Sequence, residues 1–206
     1  IIIDGGSGLR QLGEARGGRP LAATLLFTHL HWDHIQGLPF FAPLFHPDSE
    51  LTLWGPPGLE DALACQMSRP TFPVGPEVFA ARWQIKTLSP GSELRIGDLR
   101  VRTMALRHPG GVLGYRVEGG GRSVVHLCDY EPPVQGLDED VLAFARGADL
   151  LTMDAQYLPE ELPRRRGWGH GSWLQAAELA MAAEVAQLAL THHDPNRDDS
   201  GVFAIE

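Results

Sequence analysis

Three imidazoles and one carboxylate, His29, His31, Asp33 and His34, fall within the short stretch Thr28-His29-Leu30-His31-Trp32-Asp33-His34. The apolar run 22–27 before them reads as a buried strand, so the cluster leaves a strand end and enters a turn. In extended backbone, side chains at i and i+2 share a face, which lets His29 and His31 close on one cation while Leu30 points elsewhere. Asp33 and His34 come after the chain has begun to turn and can face a second cation. Imidazole with carboxylate suits zinc first, with manganese or iron as alternatives. Four ligand-type side chains at HxHxDH spacing after an apolar strand have little structural reason to sit there.

The elements that must position such a site are short and many. Gly 24 and Pro 16 in 206 residues imply tight turns between short elements, and the length suits one domain over 1–206 with a sizeable core. The chain begins inside what reads as a strand, Ile1-Ile2-Ile3, so N-terminal strands are expected to be missing and a signal peptide stays open. That strand ends in a glycine-rich turn from Asp4 to Gly8, without the spacing or lysine of a phosphate loop. Further strands are expected at 51–55, 84–88, 99–106, 114–118, 122–127, 149–154 and 187–191, with a tight hairpin at Gly119-Gly120-Gly121. Helices are expected over 59–67, 138–146 and 173–185, and a short one over 37–45 with Pro39 in its first turn. The proline-rich segment between 68 and 84 sits where a lid or substrate-facing loop could be.

The stretch from Thr28 to Gly37 resembles the signature of the metallo-β-lactamase superfamily. The resemblance implies an α/β (α+β) fold, a four-layer αβ/βα sandwich, with an Asp-x-Gly turn beside the metals, so Asp4 could support a ligand histidine. His108, before a Pro-Gly turn, would supply the third neutral ligand that His29 and His31 lack. Asp129 follows the apolar strand 123–128, and a carboxylate with two oxygens can bridge two cations, as an aspartate at this point does in the resembling families. Cys128 stands where those relatives often have Gly. Whether its thiol touches a metal is open, a small buried residue being the preferred reading. Leu190-Thr191-His192 favours His192 as the last ligand, with His193 competing because adjacent strand residues point oppositely. Site one would then be His29, His31 and His108; site two would be Asp33, His34 and His192, with Asp129 between them.

His108 with Gly114-Tyr115-Arg116, the loop around His170 and Leu-Thr-His at 190–192 resemble the ribonuclease Z and cyclic-phosphodiesterase branch over about residues 1–195. This implies a hydrolase with two divalent ions, most simply Zn2+, that attacks a small or cyclic phosphodiester through a metal-bridging hydroxide. Asp33 and His170 are the candidate catalytic residues, with His170 protonating the leaving group. Arg164, Arg165 and Arg166 form the one basic cluster and, with Trp168, are candidates for substrate binding, although a charge run also reads as a solvated loop. Asp154 reads as a loop or supporting residue. The net charge of −9 and the lack of a basic arm argue against a large nucleic acid. Two cysteines and no bilayer-length apolar run point to a reducing, cytoplasmic setting without a membrane. A homodimer is left open. A glyoxalase II-like thioesterase or lactonase, or a metal-binding regulatory module without turnover, are the competing readings.

Overall fold

The computed structural model describes residues 1–205. The chain divides into two compact units, one over Ile1–Ser89 and one from Pro90 onward. In the first, four strands pair in parallel in the order β1 (Ile2–Ile3), β2 (Ala22–Leu26), β3 (Glu50–Gly55) and β4 (Arg82–Thr87). Parallel neighbours require crossovers, which run through α1 (Ser7–Ala15) between β1 and β2 and α3 (Leu59–Gln66) between β3 and β4. Along β3, Leu51 and Leu53 are buried while Thr52 and Trp54 are partly covered, the period of two that a strand imposes. Leu25, Phe27, Leu38, Phe41, Leu53 and Leu63 lie in one core. Burying side chains of this size contributes roughly 1.5–3 kcal/mol each.

The short helix expected over 37–45 is instead two 3-10 turns, Leu38–Phe40 and Ala42–Phe45, parted at an extended Phe41. Pro43 explains the break, because its ring would meet the Pro39 carbonyl in a continuous α-helix. Most of the segment is core, with Phe40 and Phe45 exposed. Helix α1 was not expected, because its start at Ser7 is glycine-flanked and has no side-chain cap, so the sequence reads there as a turn.

The second unit holds a six-stranded sheet in the order β10 (Leu188–Thr191), β9 (Leu150–Asp154), β8 (Arg122–Leu127), β7 (Val112–Gly119), β6 (Leu99–Leu106) and β5 (Glu93–Ile96). β5 to β8 form an antiparallel meander, and β8, β9 and β10 pair in parallel. Strands β6, β8, β9 and β10 therefore all run in one direction, and their C-terminal ends share an edge of the sheet. The parallel crossovers use α4 (Glu139–Ala145) and α5 (Trp173–Ala182). Asp138 caps α4 by accepting the N–H groups of Asp140 and Val141, and Ser172 with Gln175 makes a capping box that starts α5 just past His170. Ala176, Leu179 and Ala180 of α5 pack with Val125, Leu127, Leu151 and Met153 of the sheet. A last short helix, α6 (Asp199–Phe203), closes the described chain.

Candidate metal centre and its supporting residues

In the first unit, β1 and β2 end level, Ile3 beside Leu26, so Asp4 and Thr28 leave the same sheet edge. Asp4 Oδ1 accepts the Thr28 N–H at 2.7 Å, and Oδ2 accepts the Thr28 hydroxyl at 2.9 Å. The same Oδ2 lies 2.8 Å from His34 Nδ1. Thr28 has one hydroxyl hydrogen, given to Asp4, so its oxygen accepts from His29 Nδ1 at 2.9 Å. These contacts put the proton of both His29 and His34 on Nδ1 and leave each Nε2 with its lone pair, the form that binds a metal.

The backbone holds the group together. After an extended His31 the chain enters the single-turn helix α2 (Trp32–Ile35), and the ring centroid of His29 lies 4.4 Å from that of His31 and 4.2 Å from that of His34. Asp33 Oδ2 stands 3.3 Å from His34 Nε2. The Gly5 N–H donates to the His34 carbonyl and the Gly37 N–H to the Gly5 carbonyl, each at 2.7 Å. A Cβ on Gly37 would fall 2.0 Å from the Gly6 carbonyl oxygen, so only glycine permits this approach.

In the second unit the ligand-type side chains come off one sheet edge. His108 follows β6, Asp129 follows β8, Asp154 ends β9 and His192 follows β10. Asp129 Oδ2 lies 3.6 Å from His108 Nε2, while Oδ1 lies 3.3 Å from His192 Nε2. One carboxylate thus presents a different oxygen to each of two imidazoles. Cys128 is buried and its thiol donates to Asp129 Oδ1 at 2.9 Å. Again Nδ1 is the tethered atom: His108 Nδ1 meets the Gly169 carbonyl at 2.8 Å, and His192 Nδ1 meets Gln156 Oε1 at 3.1 Å. His193 instead lies by Trp173, Ala177 and Leu188, and its Nδ1 has no hydrogen-bond partner.

Ligand atoms of Asp129, Asp154, His170 and His192 all lie within 4.8 Å of one another. Asp154 is fully buried and committed to support: its Oδ2 lies 2.6 Å from His170 Nδ1 and accepts the Tyr130 N–H, and its Oδ1 accepts the Gln156 N–H. His170 stacks on His192 with centroids 4.9 Å apart and meets His108 edge-on at 5.1 Å. The donor chemistry of both units fits divalent ions, since imidazoles fixed through Nδ1 and acceptor-only carboxylates are the ligands such ions take.

Among the described residues, three of the four non-glycine residues with positive φ belong to these groups: Asp4 at 60°, Asp129 at 45° and His192 at 57°. That backbone region is sparsely used by side-chain-bearing residues and clusters at functional sites. Each follows a strand directly or nearly so, and the left-handed turn redirects a side chain that continued extension would aim elsewhere.

The basic cluster is divided in its surroundings. The Arg165 guanidinium lies 4.8 Å above the Trp168 ring and 5.7 Å from that of Tyr157, Arg164 is exposed, and Arg166 lines a cleft of about 160 Å³ with Tyr130 and Leu162. Sequence reasoning missed Thr28, Glu131 and Gln156 as supporting residues. Gln156, two positions past the strand-end acid Asp154, carries only a weak signal in the sequence, and Glu131 carries none.

The family model for the beta-lactamase superfamily domain matches residues 1–193. The chain belongs to that superfamily, as the N-terminal motif led one to expect, and its relatives place it beside ribonuclease Z, the branch that the His108, His170 and Leu-Thr-His segments resemble. Ribonuclease Z of Mycolicibacterium gilvum (strain PYR-GCK) is 33% identical over 219 aligned positions, covering 95% of this chain and 74% of the relative. The aligned span exceeds the 206 residues of this chain, so the relative carries residues within it that this chain lacks. Human tRNase Z, short form, superposes with a TM-score of 0.72 at 19% identity, covering 95% of this chain and 82% of that one. Zn(2+)-bound PqqB from Methylobacterium extorquens gives 0.69 at 18% identity, covering 98% and 78%. The fold is of the metallo-β-lactamase type, as expected, and the protein is a hydrolase of that superfamily related to ribonuclease Z.

Proposed function

We propose that the chain acts as a single domain in which His29, His31 and His108 would hold one divalent ion, Asp33, His34 and His192 would hold a second, and Asp129 would serve both. The observation that carries this reading is Asp129, whose two oxygens address His108 and His192 separately. Two bound ions, zinc first, would lower the pKa of a shared water toward neutrality and offset charge on a phosphate. The chain's own residues do the rest. Asp4, Thr28, Gln156 and the Gly169 carbonyl hold each imidazole with Nε2 available. His170, oriented by Asp154, delivers a proton to the departing oxygen. Arg164, Arg165, Arg166 and Trp168 contact the substrate beyond the phosphate.

The substrate is a small or cyclic phosphodiester. Supporting this are the net charge of −9 and the aligned residues that the ribonuclease Z relative has and this chain lacks. A second reading, that the diester belongs to an RNA, is favoured by the identity to a protein named ribonuclease Z. Among the described residues no helix is long and apolar enough to cross a membrane, and neither cysteine forms a disulfide, which suits the cytoplasmic reading.

The test is turnover by the zinc- or manganese-loaded protein of bis(p-nitrophenyl) phosphate, a cyclic nucleotide, a short RNA, a thioester and a lactone. Diester turnover with preference for the cyclic nucleotide is expected. Preference for RNA would move the reading to the second substrate, and turnover of the thioester or lactone alone would overturn it.

A further inference from the structure

Outside the ligand set, Glu131 directs both of its carboxylate oxygens at the backbone of one loop. Its Oε1 and Oε2 each accept the Gly167 N–H at 3.0 Å, and Oε2 also accepts the Gly169 N–H at 2.8 Å. The Glu131 N–H donates to the Arg107 carbonyl at 2.9 Å, which ties this residue to the chain immediately before His108. Gly167 at φ 82° and Gly169 at φ 89° take backbone conformations that other residues adopt rarely, and they flank Trp168. This bend lets the two N–H groups meet one carboxylate, a charge-assisted arrangement stronger than neutral hydrogen bonds.

What the loop carries gives the contact its consequence. The Gly169 carbonyl is the partner of His108 Nδ1, and the next residue is His170. A Cβ on Gly169 would lie 2.2 Å from His108 Nδ1 and 2.4 Å from Pro109 Cδ, so this backbone lies directly against the ligand ring. We propose that Glu131 is a positioning residue: it clamps the loop 167–170 and through it sets the tautomer of His108 and the place of His170 together. The catalytic half of this proposal rests on the phosphodiesterase reading; the clamp itself does not.

The test uses Glu131→Gln in the metal-loaded protein, with Glu131→Asp as the conservative variant. A glutamine offers one acceptor oxygen, and its amide hydrogens would face the N–H donors of the loop. By NMR, the Gly167 and Gly169 amides of Glu131→Gln should exchange with solvent at least about tenfold faster than in the parent, a change on the scale of losing one hydrogen bond to a charged group. Metal content should stay at the parent value. Turnover should fall about ten- to a hundredfold for diesters with poor, alkyl leaving groups, and by no more than about threefold for p-nitrophenyl diesters, which need no proton. Glu131→Asp should recover part of both effects. Unchanged exchange at Gly167 and Gly169 would overturn the clamp, and equal losses on both kinds of leaving group would overturn its role in placing His170. If the parent turns over no diester, the functional reading fails while amide exchange still decides the clamp.

Discussion

The two units gather their candidate site residues in opposite ways. In the first, His29, His31, Asp33 and His34 are sequence neighbours, and what holds them is a compact set of contacts from Asp4, Thr28 and close-packed glycine backbone. In the second, His108, Asp129, Asp154, His170 and His192 span most of the unit's length, and what gathers them is strand direction. A local cluster depends on few partners near it. A dispersed set depends on every strand register and on the loops that leave the sheet edge, so it should be the more sensitive to substitution away from the ligands.

The largest expected effect lies at the meeting point of the dispersed set. Asp129→Ala should lower diester turnover on the order of a thousandfold and release bound metal, because Asp129 offers one oxygen to each of His108 and His192. Turnover and elemental analysis of the same preparation check it. Next comes His170→Ala, which should keep its metals and lose about a hundredfold on poor leaving groups only; metal loss would make His170 a ligand instead. On the local side, Asp4→Asn leaves one carbonyl oxygen for three donors, so metal affinity, read by chelator competition, should weaken about 10–100-fold. An unchanged affinity would mean that the first cluster holds its shape without Asp4.

The smallest effect is electrostatic and far from either set. Asp149 accepts hydrogen bonds from Arg122 and from the Ser123 N–H, and these hold its carboxyl below the ordinary carboxylate range. A carboxylate whose folded-state pKa is depressed stabilises the fold above its unfolded value, and that contribution is lost as pH falls through the folded value. Asp149→Asn should therefore lower the melting temperature slightly at neutral pH, with the difference from the parent vanishing in acid. The pair is exposed, so the change should be small.

What could be read in the sequence follows the same division. HxHxDH after an apolar strand announces itself, because ligand and strand signals are adjacent and alternate with the strand period. Asp129 and His192 were legible because each ends an apolar run, and Asp154 was seen as a strand-end acid without its commitment to His170. Glu131 was invisible and Gln156 nearly so, since their role lies in contacts 36 and more positions away along the chain. Among the elements, strands with continuous apolar runs were found, whereas β5 (Glu93–Ile96) and α1 (Ser7–Ala15) were not. β5 alternates charge with half-buried residues at a sheet edge, and α1 lacks a side-chain cap. The helix over 37–45 failed for a single cause, a second proline at a spacing that breaks α-helix.

The proposed function requires a contiguous and a dispersed set of side chains to hold a pair of ions. Elemental analysis of metal-replete protein, before and after Asp129→Ala, tests it most directly. Two ions per chain in the parent and at most one in the variant is the expected result. One ion or none in the parent, or two retained by Asp129→Ala, would contradict it.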